Sequence, residues 1–161
     1  IGCSKMGLDF TVASTPKYYP DKELISKCTG FAKQSSSSII FESDPYRAAQ
    51  NADVIYTDIW VSMGEPDEVW KERIDELSAY AVTKDIMTAA SSNAVFMHCL
   101  PSYHDKKTEI GKEMCEKFGR DSMEVTDEVF ESNSSVVFRE AENRMHTIKA
   151  VMAATLGGEL I

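Results

Sequence analysis

A carboxylate and a hydroxyl stand four residues apart in the segment 58–65, which reads DIWVSMGE. The segment follows a β-branched run and precedes a helix start, so it lies where a strand has just ended. Asp58 could supply the counter-charge for an ammonium group, with Ser62 as a neutral hydrogen-bonding partner. The alternative is that both side chains only shape a turn or cap the helix, which is the commoner use of Asp and Ser in loops.

A second candidate is the tetrapeptide His98-Cys99-Leu100-Pro101, which follows another predicted strand. Pro101 ends the strand and leaves the preceding carbonyls free to accept from a substrate amide. The Cys99 thiol is a candidate nucleophile, but the sequence shows no general base beside it, and a buried apolar role is commoner for Cys. For His98 the sequence favours a hydrogen-bonded place in the core over catalysis.

The third candidate is Arg144, in the stretch Glu140-Ala141-Glu142-Asn143-Arg144. We predict that this stretch begins the final helix, and a cation near a helix start is poorly placed for the macrodipole. Arg144 therefore indicates an anionic ligand. An ordinary intrahelical ion pair with Glu140, four residues earlier, is the alternative.

Alternating strands and helices must position these residues. Short β-branched runs predict five strands, at residues 8–13, 38–41, 53–57, 94–98 and 135–138. Helix starts are predicted at Pro20-Asp21, Asp44-Pro45 and Pro66-Asp67-Glu68, with a shorter helix after Thr83, one from Thr108 to Phe118 ended by Gly119, and the last from Glu140.

Apolar periodicity predicts which helix faces are buried. Trp70, Ile74 and Leu77 form one stripe of the third helix, and Ile110, Met114 and Phe118 form another further on. Strands separated by helices pair in parallel, so we predict an α/β domain with an open, mostly parallel twisted sheet, helices on both faces and a Rossmann-like arrangement. Ligands bind at the carboxyl ends of the strands in that architecture.

Composition excludes several classes of function. The 161 residues suffice for one domain with its own core, and the net charge of −9, without a basic stripe, makes nucleic acid an unexpected partner. The four cysteines show no metal-ligand spacing, which predicts reduced thiols, no structural zinc and a cytoplasmic protein. No apolar run is long enough to cross a bilayer, so no membrane partner is expected.

The three motifs, in this order, resemble the carbamoyltransferases, and the Ser62-Met63-Gly64 loop is typical of the ornithine carbamoyltransferase branch. The resemblance extends from about residue 52 to 156 and includes the stretches 123–132 and 141–149. It implies transfer of a carbamoyl group from carbamoyl phosphate to the side-chain amine of L-ornithine, giving L-citrulline and phosphate, without a metal or cofactor.

The resemblance also implies a role for each residue. Asp58 receives the α-ammonium of ornithine, and Ser62 and Met63 contact the amino-acid end. The backbone of Cys99 and Leu100 faces the carbamoyl group, with the Cys99 thiol near the reacting amine, and Arg144 reaches toward carbamoyl phosphate. Cys99 and Arg144 are thus the expected catalytic residues.

The chain lacks the Ser-Thr-Arg-Thr-Arg phosphate loop that family members carry in an amino-terminal, carbamoyl-phosphate-binding domain. We therefore expect residues 1–138 to form the ornithine-binding domain and 139–161 a terminal helix that packs on that missing domain, in a homotrimer or larger assembly. Alone, the chain is expected to be inactive and to expose Met145, Ile148 and Met152. A stand-alone amino-acid-binding module and a non-catalytic regulatory homologue remain the alternatives.

Overall fold

Side-chain caps begin the helices close to the predicted positions. The computed structural model describes residues 1–61, 65–66 and 68–157. Asp21 accepts the backbone N–H of Leu24 at 2.8 Å, and the Thr108 hydroxyl accepts that of Gly111 at 3.1 Å. Such caps satisfy N–H groups that have no partner within the helix.

The helices and strands alternate along the described chain as far as the third strand; two α-helices then precede the fourth strand and three follow it. The helices are α1 (Gly2–Met6), α2 (Lys22–Ser35), α3 (Pro45–Ala49), α4 (Glu68–Leu77), α5 (Lys84–Ala89), α6 (Glu109–Phe118), α7 (Asp127–Phe130) and α8 (Val137–Thr155). The strands are β1 (Phe10–Ala13), β2 (Ile39–Glu42), β3 (Val54–Thr57) and β4 (Val95–His98). Gly119 ends α6 in the left-handed conformation, with φ 64°, where a residue without Cβ is unstrained.

The strands pair in parallel, which confirms the α/β class. Within the described residues their hydrogen bonds join them as two separate pairs, β1 with β2 and β3 with β4, rather than as one continuous ladder. In the second pair Thr57 lies opposite His98, so both strands end at the same edge. Asp58 and Cys99 follow at that edge.

The predicted fifth strand, at residues 135–138, is wrong. Only Ser135 forms a parallel bridge with Phe96 of β4, in which the Phe96 N–H donates to the Ser134 carbonyl and the Val136 N–H to the Phe96 carbonyl. The chain then turns into α8 at Val137, whose side chain is 1% exposed. Burial against the core therefore outweighs the strand propensity of this run.

Two clusters of buried apolar side chains pack the helices and strands against one another. One lies beneath β4 around Phe96, Val125 and Val137. The other packs α4 against α6 through Trp70, Ile74, Met114 and Cys115, together with part of the 58–65 loop and Met123, and the partly buried Leu77 and Phe118 lie against it. The stripe predicted for α4 is confirmed, whereas Ile110 of α6 points outward with 55% of its surface exposed.

Beyond its first turn, helix α8 is exposed and does not pack against the rest of the described chain. Met145, Ile148 and Met152 are 52%, 48% and 53% exposed, which confirms the predicted apolar patch. In the described part of the chain, none of the helices combines the length and apolarity needed to span a bilayer.

Candidate active site

The carboxyl edge of β3 and β4 brings two of the predicted site residues into contact. The Cys99 thiol donates to Asp58 Oδ1 at 2.9 Å, although 41 residues separate them in the chain. The same oxygen accepts the Ile59 N–H at 2.7 Å. Asp58 therefore shapes its own turn, as the alternative interpretation held, and also reaches Cys99. Its Oδ2 atom is the oxygen left for a ligand.

Charge and burial together keep the Cys99 thiol protonated. Burial raises the pKa of Cys99 to about 11, and the hydrogen bond to the Asp58 carboxylate adds to the effect. Burial and the nearby Glu140 carboxylate likewise raise the pKa of Tyr56, which lies on β3 two residues before Asp58. Since the thiolate is the nucleophilic form, this environment suits Cys99 as a hydrogen-bond donor and not as a nucleophile.

This arrangement predicts how Cys99 reacts. Asp58→Asn removes the carboxylate charge, so the pKa of Cys99 should fall from about 11 toward its ordinary value and alkylation at pH 8 should speed up several-fold. The measurement is the iodoacetamide rate at Cys99, read by peptide mass spectrometry. Asp53→Asn is the matched control, because Asp53 is exposed at the other end of β3. Equal rates in the two variants would contradict the assigned contact.

His98 occupies the core, as the sequence favoured. It is fully buried; its Nε2 lies 3.0 Å from Glu124 Oε1, and its Nδ1 donates to the Cys99 carbonyl. That carbonyl therefore already accepts one hydrogen bond. In the described part of the chain no group donates to the Leu100 carbonyl, so both of its lone pairs are available to a ligand.

Glu124 is a residue that sequence reasoning missed. It is fully buried, and its Oε1 accepts from the Ser102 hydroxyl at 3.1 Å and the Tyr103 N–H at 2.9 Å, in addition to facing His98. Glu124 thus fixes the loop that carries Cys99 and Leu100. The available signal was an acid between Met123 and Val125, in a run otherwise suited to the core.

Removing the Glu124 side chain should lower the stability of the fold. Glu124→Ala would leave His98, Ser102 and the Tyr103 N–H without their buried acceptor, and we expect a loss of about 3–5 kcal/mol in the free energy of unfolding. Urea denaturation followed by tryptophan fluorescence measures it. The control is Glu128→Ala, which breaks only an exposed ion pair with Lys84 and should cost about 0–1 kcal/mol. Similar losses in both variants would show that the Glu124 contacts contribute little.

Arg144 lies deeper within the final helix than the sequence predicts. Because α8 begins at Val137 and not at Glu140, Arg144 is about two turns inside the helix, and the macrodipole argument no longer applies. Its side chain is exposed, and no described acidic group lies within 4.0 Å of it. Among the described residues, Arg144 forms no intrahelical ion pair with Glu140, because the Glu140 carboxylate accepts the backbone N–H of His98 on β4. Ser62 and Met63 lie outside the described residues.

Parallel strands with polar groups at their carboxyl edge define a ligand-binding α/β domain. The profile of the aspartate/ornithine carbamoyltransferases, Asp/Orn binding domain, matches residues 1–155. The chain belongs to this family and corresponds to its Asp/Orn binding domain.

The relatives are ornithine carbamoyltransferases. The chain is 52% identical to that of Pediococcus pentosaceus over 158 residues, covering 98% of this chain and 47% of the relative, and 53% identical to a catabolic one of Treponema denticola, covering 97% and 46%. The solved ornithine carbamoyltransferase of Pyrococcus furiosus is 38% identical, with a TM-score of 0.79 over 98% of this chain and 44% of that one. The chain spans about half the length of these relatives.

Proposed function

We propose that this chain provides the ornithine-binding half of an ornithine carbamoyltransferase, which transfers the carbamoyl group of carbamoyl phosphate to the side-chain amine of L-ornithine. The 2.9 Å contact between Cys99 and Asp58 carries the proposal, because it joins a fixed anion to a neutral donor at the ligand-binding edge. The family and the 52% identity to a named ornithine carbamoyltransferase support it.

Asp58 binds the α-ammonium of ornithine through Oδ2, since Oδ1 is occupied by Ile59 and Cys99. Ser62 and Met63 contact the amino-acid end of the substrate. Holding ornithine by the end that does not react orients its side-chain amine, and orientation of this kind can contribute several kcal/mol.

The reaction itself needs a neutral amine. An alkyl ammonium has a pKa near 10, so it must lose a proton before its nitrogen attacks the carbonyl carbon of carbamoyl phosphate. The Leu100 carbonyl accepts from the carbamoyl amide and the Cys99 thiol lies beside the attacking nitrogen. Arg144 stabilises the negative charge on the departing phosphate.

The other half of the site comes from a carbamoyl-phosphate domain that precedes this one in the longer protein. Residues 139–161 would pack on that domain, and the exposed Met145, Ile148 and Met152 are suited to such a contact. We further propose a homotrimer or larger assembly, and a cytoplasmic location that suits the four free thiols.

A citrulline-forming assay tests the proposal on the full-length protein and on this chain alone. Citrulline from the full-length protein and none from the chain is the expected pair of results. A full-length protein that binds ornithine but forms no citrulline from carbamoyl phosphate would instead favour an amino-acid-binding module. Citrulline formed by the chain alone would refute the requirement for a second half.

A further inference from the structure

Glu140 lies in the first turn of α8, and its carboxylate contacts a strand rather than its own helix. Its Oε2 accepts the backbone N–H of His98 at 3.1 Å. His98 is the last residue of β4 and immediately precedes Cys99. One side chain therefore connects the helix that carries Arg144 to the strand end that carries Cys99.

Glu140 is also the last point of attachment along α8. The Val136 N–H bonds to the Phe96 carbonyl and Val137 is buried, so the base of the helix is fixed. From residue 141 to 157 every described residue is exposed, and the described side-chain hydrogen bonds there stay within the helix. The direction in which α8 leaves the sheet thus depends on the contact at Glu140.

Arg144 lies one turn beyond Glu140. Residues four apart lie on the same side of a helix, so a change in the angle at Glu140 would displace the Arg144 side chain with it. Because Glu140 bonds to β4, it also leaves the Arg144 guanidinium available for an anion.

We propose that Glu140 is a positioning residue, which ties α8 to the end of β4 and so sets the place of Arg144 relative to Cys99. The proposal rests on the proposed function and adds a residue to its site. Glu140 touches no substrate; it acts through His98 and through the helix.

The test compares Glu140→Ala with Glu140→Gln in the full-length protein. Glutamine keeps an oxygen that can accept the His98 N–H, whereas alanine removes it. Since a displacement of about 1 Å can cost on the order of 100-fold in rate, we expect Glu140→Ala to lower kcat/KM for carbamoyl phosphate by roughly 30- to 100-fold. The KM for ornithine should change by less than about 3-fold, and Glu140→Gln should stay within about 3-fold of the parent in all constants.

Two controls separate positioning from stability and surface charge. Glu113→Ala removes an exposed acid from α6, away from β4, and should leave the kinetics unchanged. Thermal unfolding of each variant shows whether a loss of activity follows a loss of fold. Equal losses in Glu140→Ala and Glu140→Gln, or no loss in either, would overturn the proposal.

A second readout does not depend on citrulline formation. The groups that face Cys99 are Asp58, Tyr56 and Glu140, and the charge of Glu140 is one cause of the raised pKa of Cys99. Both Glu140 variants should therefore shift the pH profile of Cys99 alkylation downward, while Glu113→Ala should not. An unchanged profile would show that the carboxylate does not lie at the end of β4, and would overturn the proposal. If the parent protein forms no citrulline but its Glu140 variants show the shift, only the proposed function is refuted.

Discussion

Asp58→Ala in the full-length protein should weaken ornithine binding by about 100-fold, since a hydrogen bond to a charged group contributes roughly 1.5–3 kcal/mol and the α-ammonium would lose its counter-charge. Asp58 Oδ2 is the atom expected to make this contact. Titration calorimetry with ornithine, with inorganic phosphate in place of carbamoyl phosphate so that no citrulline forms, measures the effect directly.

The control for Asp58 is Asp53→Ala, which removes the same charge from the opposite end of β3 and should leave ornithine binding unchanged. Normal ornithine affinity in Asp58→Ala would refute its role. If affinity stayed normal while kcat fell, Asp58 would instead serve the reacting amine through its hydrogen bond to Cys99.

Arg144→Ala should lower kcat/KM for carbamoyl phosphate by about 100- to 1,000-fold, the usual cost of removing a group that stabilises developing negative charge. The KM for ornithine should change much less. Arg144→Lys should recover part of the loss, because lysine keeps the charge but cannot present two parallel N–H donors to a phosphate.

Arg139→Ala is the matched control for Arg144. Arg139 is exposed on the same helix, so its removal changes the charge of α8 by the same amount. Steady-state kinetics with each substrate varied in turn gives both constants. A variant of Arg144 that lost ornithine affinity alone would show that the residue has been assigned to the wrong substrate.

The sequence predicted most of the architecture because the deciding signals are local. Asp21, Asp44, Thr83 and Thr108 cap their helices through side chains within three residues of the backbone they bind. Alternation of β-branched runs with helices was enough to predict parallel pairing. The contact of Asp58 with Cys99 could be anticipated only as a shared strand edge.

The predictions failed where the local structure depends on contacts with residues that are distant in the sequence. Val136 and Val137 resemble a strand, but contacts with Phe96 start a helix there and move Arg144 deeper into α8. The roles of Glu124 and Glu140 depend on a single residue, His98, which lies 26 and 42 positions away from them. No local pattern encodes such partners.

The Asp58 contact also bears on how the site withstands oxidation. Peroxide attacks the thiolate, and a Cys99 pKa of about 11 leaves on the order of one thiol in ten thousand ionised at pH 7. A partly accessible cysteine at a ligand-binding edge would otherwise be vulnerable to sulfenic acid formation. Burial of the thiol, together with the carboxylate proposed to bind an ammonium group, thus disfavours oxidation of this sulfur.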